Sequence, residues 1–435
     1  MHVPTRHQLQ RFYFYAPLVR AIRAQAASLS YSGGTVFRFI LVGHSASIGN
    51  NPYSPSDHVL LPRLTHLELS IRDDPLLPFV HLLLHAEFRK LVLPHYVDGR
   101  LVSSRLQVAS ASLESLVIVV EPRHMHNFMR SVHQFTRLRD ITIPLLEPGT
   151  IHVIAGLPCI TNLTIVTNDS SDIDTDQQDI VPFSGVISSL KVIIERSIFP
   201  HAAGALHCAR VLLETLRLRF QQLSITIPRH CGGDALSHFL EHHRTIDPSF
   251  DIRRLSINVS DPQWPAGALA PLSFTVLHGL ISMNLTHVEF KDFSMCDMDD
   301  QDLHTLSSAM PNIETLILGT GRYWTSPPRA SLKGVTFVLE HCRALKELGI
   351  VFNCSLGGIN LMILPVNRSI RTLQVGISPP YHPNTVALFF SRSLPNLITI
   401  EVEPWLEQAM GRRDDIKLDR FERMRGWDKV LDWMS

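Results

Sequence analysis

Three groups of residues carry side chains of types that could do chemistry. Between Asn168 and Asp179, the run Asp172-x-Asp174-x-Asp176 has the alternating carboxylates that open a calcium-binding loop. Such a loop needs glycine at its sixth position for the sharp turn and a bidentate glutamate at its twelfth. Here those positions hold Gln177 and Phe183, so an acidic surface loop is expected instead. His238 and His242 stand four apart around Glu241, with His243 adjacent, a spacing that puts two imidazoles on one helix face. Zinc needs at least a third ligand, and the H-E-x-x-H order is absent, so a solvated helix face is expected. His124-Met125-His126 offers no more.

Serine and glycine motifs fare the same way. Gly43-His44-Ser45-Ala46-Ser47 lacks the second glycine of a nucleophile elbow. Ser32-Gly33-Gly34-Thr35 and Gly232-Gly233-Asp234 read as turns and match neither phosphate-binding nor dinucleotide-binding loops. No catalytic constellation, metal site or cofactor loop assembles. The expectation is a protein that is not an enzyme, with no catalytic, metal-binding or cofactor-binding residues and no cofactor.

Composition narrows the partner. The 435 residues include 40 Lys and Arg against 40 Asp and Glu, a net charge of zero, with 45% apolar and 18% charged residues. Mean hydropathy is +0.09. A disordered polymer is excluded, and the balance lacks the basic field that draws most nucleic-acid binders to phosphate. No nucleic acid and no membrane is the expectation. The longest stretch free of Asp, Glu, Lys and Arg, Pro262 to Val288, is broken by three prolines and suits a helix buried between strands. Met1 to Arg11 shows no apolar signal segment. The cysteines Cys159, Cys208, Cys231, Cys296, Cys342 and Cys354 form no C-x-x-C pair and read as reduced core residues. Cytoplasmic or nuclear placement follows.

One phrase organises the rest: apolar-x-x-apolar-x-apolar. It opens at Leu64, Phe88, Leu113, Leu138, Ile160, Ile187, Phe220, Ile252, Leu285, Ile313, Leu345, Ile370 and Leu397, at steps of 22 to 33 residues. That step accommodates one strand, one turn, one helix and a return. The intervening segments agree. Ala202–Arg217, Asp302–Met310, Thr336–Leu345 and Asn384–Leu394 carry apolar residues at helical spacing, two of them ending in Pro-Asn. Strand and helix in alternation require parallel strands with helices on one side. The fold class is therefore α/β, a solenoid with a curved parallel sheet on its concave face and helices on its convex face.

These phrases resemble leucine-rich repeats, and their irregular step is similar to that of the F-box/leucine-rich-repeat proteins. The segment Arg11-Phe12-Tyr13-Phe14-Tyr15-Ala16-Pro17-Leu18-Val19-Arg20-Ala21-Ile22 looks like the "RF-x-x-YA-x-x-VR-x-L" run that follows the F-box in a group abundant in mushroom-forming fungi. The stretches Leu60–Leu69 and Leu138–Leu157 resemble that group's early repeats. The F-box itself, a leucine-rich helical module, does not read before Gln10, so the family's adaptor-docking residues map to no position here. A Skp-type adaptor is implied as partner only if a missing F-box is restored.

The resulting expectation is an N-terminal helical cap over 1–35, a leucine-rich-repeat solenoid over 36–403, and a C-terminal helical cap over 404–435. In the last, Leu418, Phe421, Met424, Trp427, Val430 and Leu431 recur at helical spacing to cover the final repeat. Between the inward anchors, alternate residues face the concave surface. The candidate protein-binding residues are His66, Glu68, Asp140, Lys191, Gln222, Arg254, Asn258, His287, Glu289, Lys291, Glu347, Gln374, Glu401 and Glu403. The expected function is non-catalytic protein recognition. The resemblance implies choosing substrates for a cullin-type ubiquitin ligase; the alternative is a stand-alone leucine-rich-repeat scaffold unconnected to ubiquitin.

Overall fold

The computed structural model describes residues 14–24, 61–69, 83–97, 106–120, 132–144, 153–154, 156–169, 186–197, 203–216, 218–228, 233–246, 252–260, 272–321, 327–355, 358–402 and 425–434. The chain divides into two compact units. The first comprises Met1–Thr167, Gln177–Leu190 and Leu216–Leu218; the second comprises Asn168–Asp176, Lys191–Thr215 and Arg219–Ser435. Strand order equals chain order from β1 to β14, and every described pairing is parallel. The α/β parallel-sheet solenoid expected from the repeats is the fold.

In the first unit the strands are β1 (Ala21–Ala24), β2 (His66–Leu69), β3 (Lys90–Val97), β4 (Ser115–Val120), β5 (Asp140–Pro144) and β6 (Asn162–Asp169), with β7 (Val186–Ser197) beginning there. The middle anchor of each phrase falls in register with the next: Leu67 pairs with Leu91, Leu91 with Leu116, Leu116 with Ile141, and Ile141 with Leu163. Among the described residues, the returns of this unit hold turns and short helical stretches at 106–109, 132 and 153–154. One strand has no phrase in the sequence. β1 lies in the segment where helix was expected, and it pairs parallel with β2, Ile22 beside Leu67. Its sequence, Val19-x-x-Ile22-x-Ala24, has alanine at the third position of the phrase, too small to register in an apolar pattern.

The second unit holds β8 (Arg219–Ile227), β9 (Arg254–Val259), β10 (His287–Phe290), β11 (Thr315–Leu318), β12 (Glu347–Ile350), β13 (Thr372–Gln374) and β14 (Thr399–Glu401). Register again follows the phrase, through Leu223, Leu255, Val288, Leu316, Leu348, Leu373 and Ile400. Its helices are α1 (Ala203–Leu216), α2 (Gly233–Ile246), α3 (Phe274–Ile281), α4 (Asp300–Ala309), α5 (Leu332–His341) and α6 (Pro383–Ser393), with α7 over 425–434. The short α3 lies within the charge-free stretch and buries Val276, Leu277 and Leu280; no helix among the described residues is long and apolar enough to cross a membrane.

Apolar burial drives the stack. All three anchors of the first twelve phrases are buried, while Leu397, Ile400 and Val402 of the last are half-buried. A second repeated device is a carbonyl just before a strand that accepts two N–H groups from the next repeat. Arg89 O accepts from Glu114 N and Ser115 N at 2.8 and 3.0 Å, and Glu314 O from Lys346 N and Glu347 N at 2.7 and 3.2 Å. Burial therefore costs no unpaired backbone there.

Helix starts follow local chemistry. Asp299 caps α4, accepting from Gln301 N and Asp302 N, while the Asp302 carboxylate accepts from Asp299 N, a full capping box. α5 begins at Leu332, four residues earlier than the apolar pattern indicates, because the Ser331 hydroxyl accepts from Lys333 N. Asp300 then joins α4 to α5: its carboxylate accepts from Ser331 N (2.6 Å), Ser331 Oγ (2.7 Å) and Gly334 N (3.0 Å). A Cβ at Gly334 would sit 2.7 Å from both Asp300 Oδ1 and Leu303 Cδ1, so the junction has room for no side chain.

The C-terminal helix α7 docks through Trp427, which is 1% exposed, stands edge-on to Phe352 with centroids 6.5 Å apart, and lies 6.3 Å from Phe390. Its indole N–H donates to Ser378 O at 2.9 Å. Trp427 thus seals the space between the β12 and β13 ends and α6, rather than covering the last strand; Leu431, in the same cap pattern, is 41% exposed. Leu418, Phe421, Met424 and Trp405 lie outside the described residues. Cys208, Cys296, Cys342 and Cys354 are buried as expected. Cys159 is exposed, because it sits in the turn before Ile160, and Cys231 lies outside the described residues. Burial pushes the Cys342 thiol up to about 12 and Cys354 higher still.

Candidate functional site

The strand residues between anchors form the polar face of each unit's sheet, and the candidate residues sit on it. In the first unit the face is sparse. His66 is exposed, its Nδ1 2.7 Å from the Thr65 hydroxyl. Glu68 is half-buried and pairs with Arg23 across β1 and β2 at 3.6 Å. Asp140 accepts a hydrogen bond from Asn162 on the next strand. Just before the strands, Arg89 and Glu114 pair at 3.6 Å.

The second unit carries a denser network. On β9 and β10, Asn258 Nδ2 donates to Ser256 Oγ at 2.8 Å, Ser256 Oγ donates to Glu289 Oε2 at 3.1 Å, and His287 Nε2 lies 3.8 Å from the same oxygen. The adjacent His287 imidazole, with help from the Ser256 hydrogen bond and the Lys291 charge, outweighs burial and holds the Glu289 carboxyl below its ordinary range. Asp292, following Lys291, ties this strand to its neighbour by accepting from Val259 N at 2.9 Å. Lys346 donates to Glu314 at 2.7 Å and, with the Arg254 charge, lowers that carboxyl at the half-exposed edge where strands begin.

On β11 to β13 the face closes over itself. Gln374 Nε2 donates to Glu347 at 2.9 Å, and its oxygen accepts from the Thr320 hydroxyl at 3.0 Å. Gln374 is 7% exposed, so it serves the sheet and is not available to a partner. Ile317, on the same face, is buried too, and a Cβ at Gly349 would meet Ile317 Cγ2 at 3.0 Å. Thr320, in the loop after β11, was invisible as a site residue because it lies outside the strand phrase.

Of the remaining candidates, Arg254 acts by its charge on Glu314. Lys191 on β7 and Arg254 on β9 are exposed, Gln222 on β8 and Glu401 on β14 are half-exposed, and Glu403 lies outside the described residues. The face therefore offers separated charges: Lys191, Arg254 and Lys291 basic, Glu347 and Glu401 acidic. Among the described residues, no three His, Cys, Asp or Glu side chains gather to hold a metal. His238 and Glu241 lie on the exposed side of α2, where Glu241 accepts from Ser237 at 3.3 Å. The acidic run at Asp172, the His124 pair and the Gly43 motif lie outside the described residues. Compared with known proteins, the chain matches no family model and no curated protein.

Proposed function

We propose that the polar sheet face recognises a folded or extended protein partner without catalysis. The observation that supports this most is the division of labour along the strands. The anchors of the first twelve phrases are buried, while alternate positions include exposed or half-exposed polar side chains such as Lys191, Gln222, Arg254 and Glu401 in a register fixed by the parallel pairing. Such a face displays groups at strand spacing, about 4.8 Å apart, on a scaffold held by its core. Protein surfaces of mixed charge are matched by complementary charge on a partner, which sets specificity and association rate.

Following the resemblance to F-box/leucine-rich-repeat proteins, the partner is a substrate presented to a cullin-type ubiquitin ligase. Affinity purification of the full-length protein from its own cells tests this. Recovery of a Skp-family adaptor and a cullin supports the ligase assignment. Recovery of a partner that depends on Arg254 and Lys191, with neither ligase component, makes the protein a stand-alone scaffold.

A further inference from the structure

The second unit lays helices against its sheet one return at a time: α3 follows β9, α4 follows β10, α5 follows β11 and α6 follows β13. The return from β12 to β13 breaks the series. Its described residues, 351–355 and 358–371, hold turns and extended chain with no helix.

A cavity of about 530 Å³ lies at this place. It is walled on one side by Leu339 and Glu340 of α5 with Arg343 just beyond, and on the other by Pro365, Val366 and Arg368 of the return. The return cannot simply collapse into the gap, because Asn367 pins it. That side chain is 3% exposed and donates to Cys342 O at 2.9 Å, and its backbone N–H donates to Ser393 O at 2.8 Å. The same loop turns apolar side chains outward, with Met362 81%, Ile363 80% and Val366 55% exposed. Its other end is held to α6, where Arg392 donates to Leu361 O at 2.9 Å. Apolar groups clustered on a pinned loop beside a cavity mark an interaction surface.

The charge at the rim is uneven. Arg343 and Arg368 are exposed, and neither forms an ion pair among the described residues; Glu340 is the single acid between them. Guanidinium groups favour carboxylates, which they can grip with two parallel hydrogen bonds.

We propose that this gap takes an amphipathic helix from a partner protein. Its apolar stripe lies against Leu339, Pro365 and Val366 and continues over Met362 and Ile363, and its acidic side chains meet Arg343 and Arg368. A helix suits a gap in a layer whose other members are helices, and a helix with an apolar stripe and acidic flanks matches a lining that mixes Pro365 and Val366 with Arg343 and Arg368. The apolar surface running on past the cavity favours an elongated ligand over a compact one. This surface is separate from the polar sheet face, and the inference does not depend on what that face binds.

Fluorescence anisotropy with the full chain tests it. The probe is a labelled peptide of about 15 residues, with leucines at i, i+3, i+4 and i+7 and glutamates flanking them. A second probe replaces every glutamate by lysine. Saturable binding of the acidic probe is expected, weakened about tenfold or more for the lysine probe, for Val366→Asp and for the Arg343→Glu/Arg368→Glu pair. Glu401→Lys, on the polar sheet face, should leave it unchanged, and all variants should melt like wild type because the altered side chains are solvent-exposed. No binding of the acidic probe, equal binding of both probes, or indifference to Val366→Asp overturns the proposal. Self-association of the chain abolished by Val366→Asp would also overturn it, by assigning the gap to a second copy.

Discussion

The two units build the same sheet with different returns. In the first, phrases start 22 to 27 residues apart, and the described returns hold turns and helical stretches of at most four residues, at 106–109, 132 and 153–154. In the second, most steps run to 28–33 residues and carry helices of 8 to 14 residues. Yet the register is the same in both: middle anchor beside middle anchor, with the double carbonyl acceptance repeated at Arg89 and Glu314. The strand phrase, not the return, therefore sets the sheet. The second unit also shows how few residues separate the two kinds of return. The 25-residue step from Leu345 has no helix among its described residues, whereas the 27-residue step from Ile370 fits the 11-residue α6.

If the phrase is the common spine, the same insult should have the same effect in either unit. Leu116→Asp and Leu316→Asp each bury an unpaired carboxylate at positions 0% and 2% exposed. Each should cost about 5 kcal/mol or more and melt its own unit first, as read by hydrogen exchange resolved along the chain. A mild effect in one unit only would mean that the two sheets are held differently.

Other changes should separate the units. Trp427→Ala removes a side chain packed between Phe352 and Phe390 and the hydrogen bond to Ser378, so the second unit should lose about 3–5 kcal/mol while the first keeps its protection. Gly334→Ala forces a methyl group against Asp300 and Leu303 at the α4-to-α5 junction and should cost the second unit about 1–3 kcal/mol.

The smallest effect concerns acid. The Glu289 carboxyl is held below its ordinary value of 4.5, so the folded state favours its charged form. That contribution is complete above pH 4.5 and fades as pH falls through the lowered folded value. Comparing wild type with Glu289→Gln by chemical denaturation should show a gap below about 1 kcal/mol at pH 7 that closes toward pH 3. A gap that widens on acidification would reverse the assigned role of His287 and Ser256.

Much of this was legible in the chain. The anchors at Leu67, Leu91, Leu316 and Leu348 declared their register because period-2 burial leaves a strong apolar signature. α1, α4 and α6 were readable from apolar spacing, the last two also from their Pro-Asn stops. β1 was not, since Ala24 stands where a large anchor belongs. The start of α5 depends on Ser331 and on Asp300, a carboxylate 31 residues earlier in the chain, and no local pattern reveals that. On the polar face, alternation located Arg254 and Glu289 but could not separate exposed side chains from Gln374. Its burial arises from Thr320, a loop residue 54 positions away. Strand phrases report which face a residue occupies; partners supplied by distant loops decide whether it is free to bind.

Recognition through the polar sheet face is the claim on which the functional account turns. Quantitative mass spectrometry of proteins captured by the full chain tests it directly, comparing wild type with the triple variant Lys191→Glu/Arg254→Glu/Glu401→Lys and with Arg343→Glu/Arg368→Glu on the helix side. The account predicts a set of captured proteins that the triple variant loses and the helix-side variant keeps, with both variants melting as wild type does. Retention of that whole set by the triple variant would contradict it.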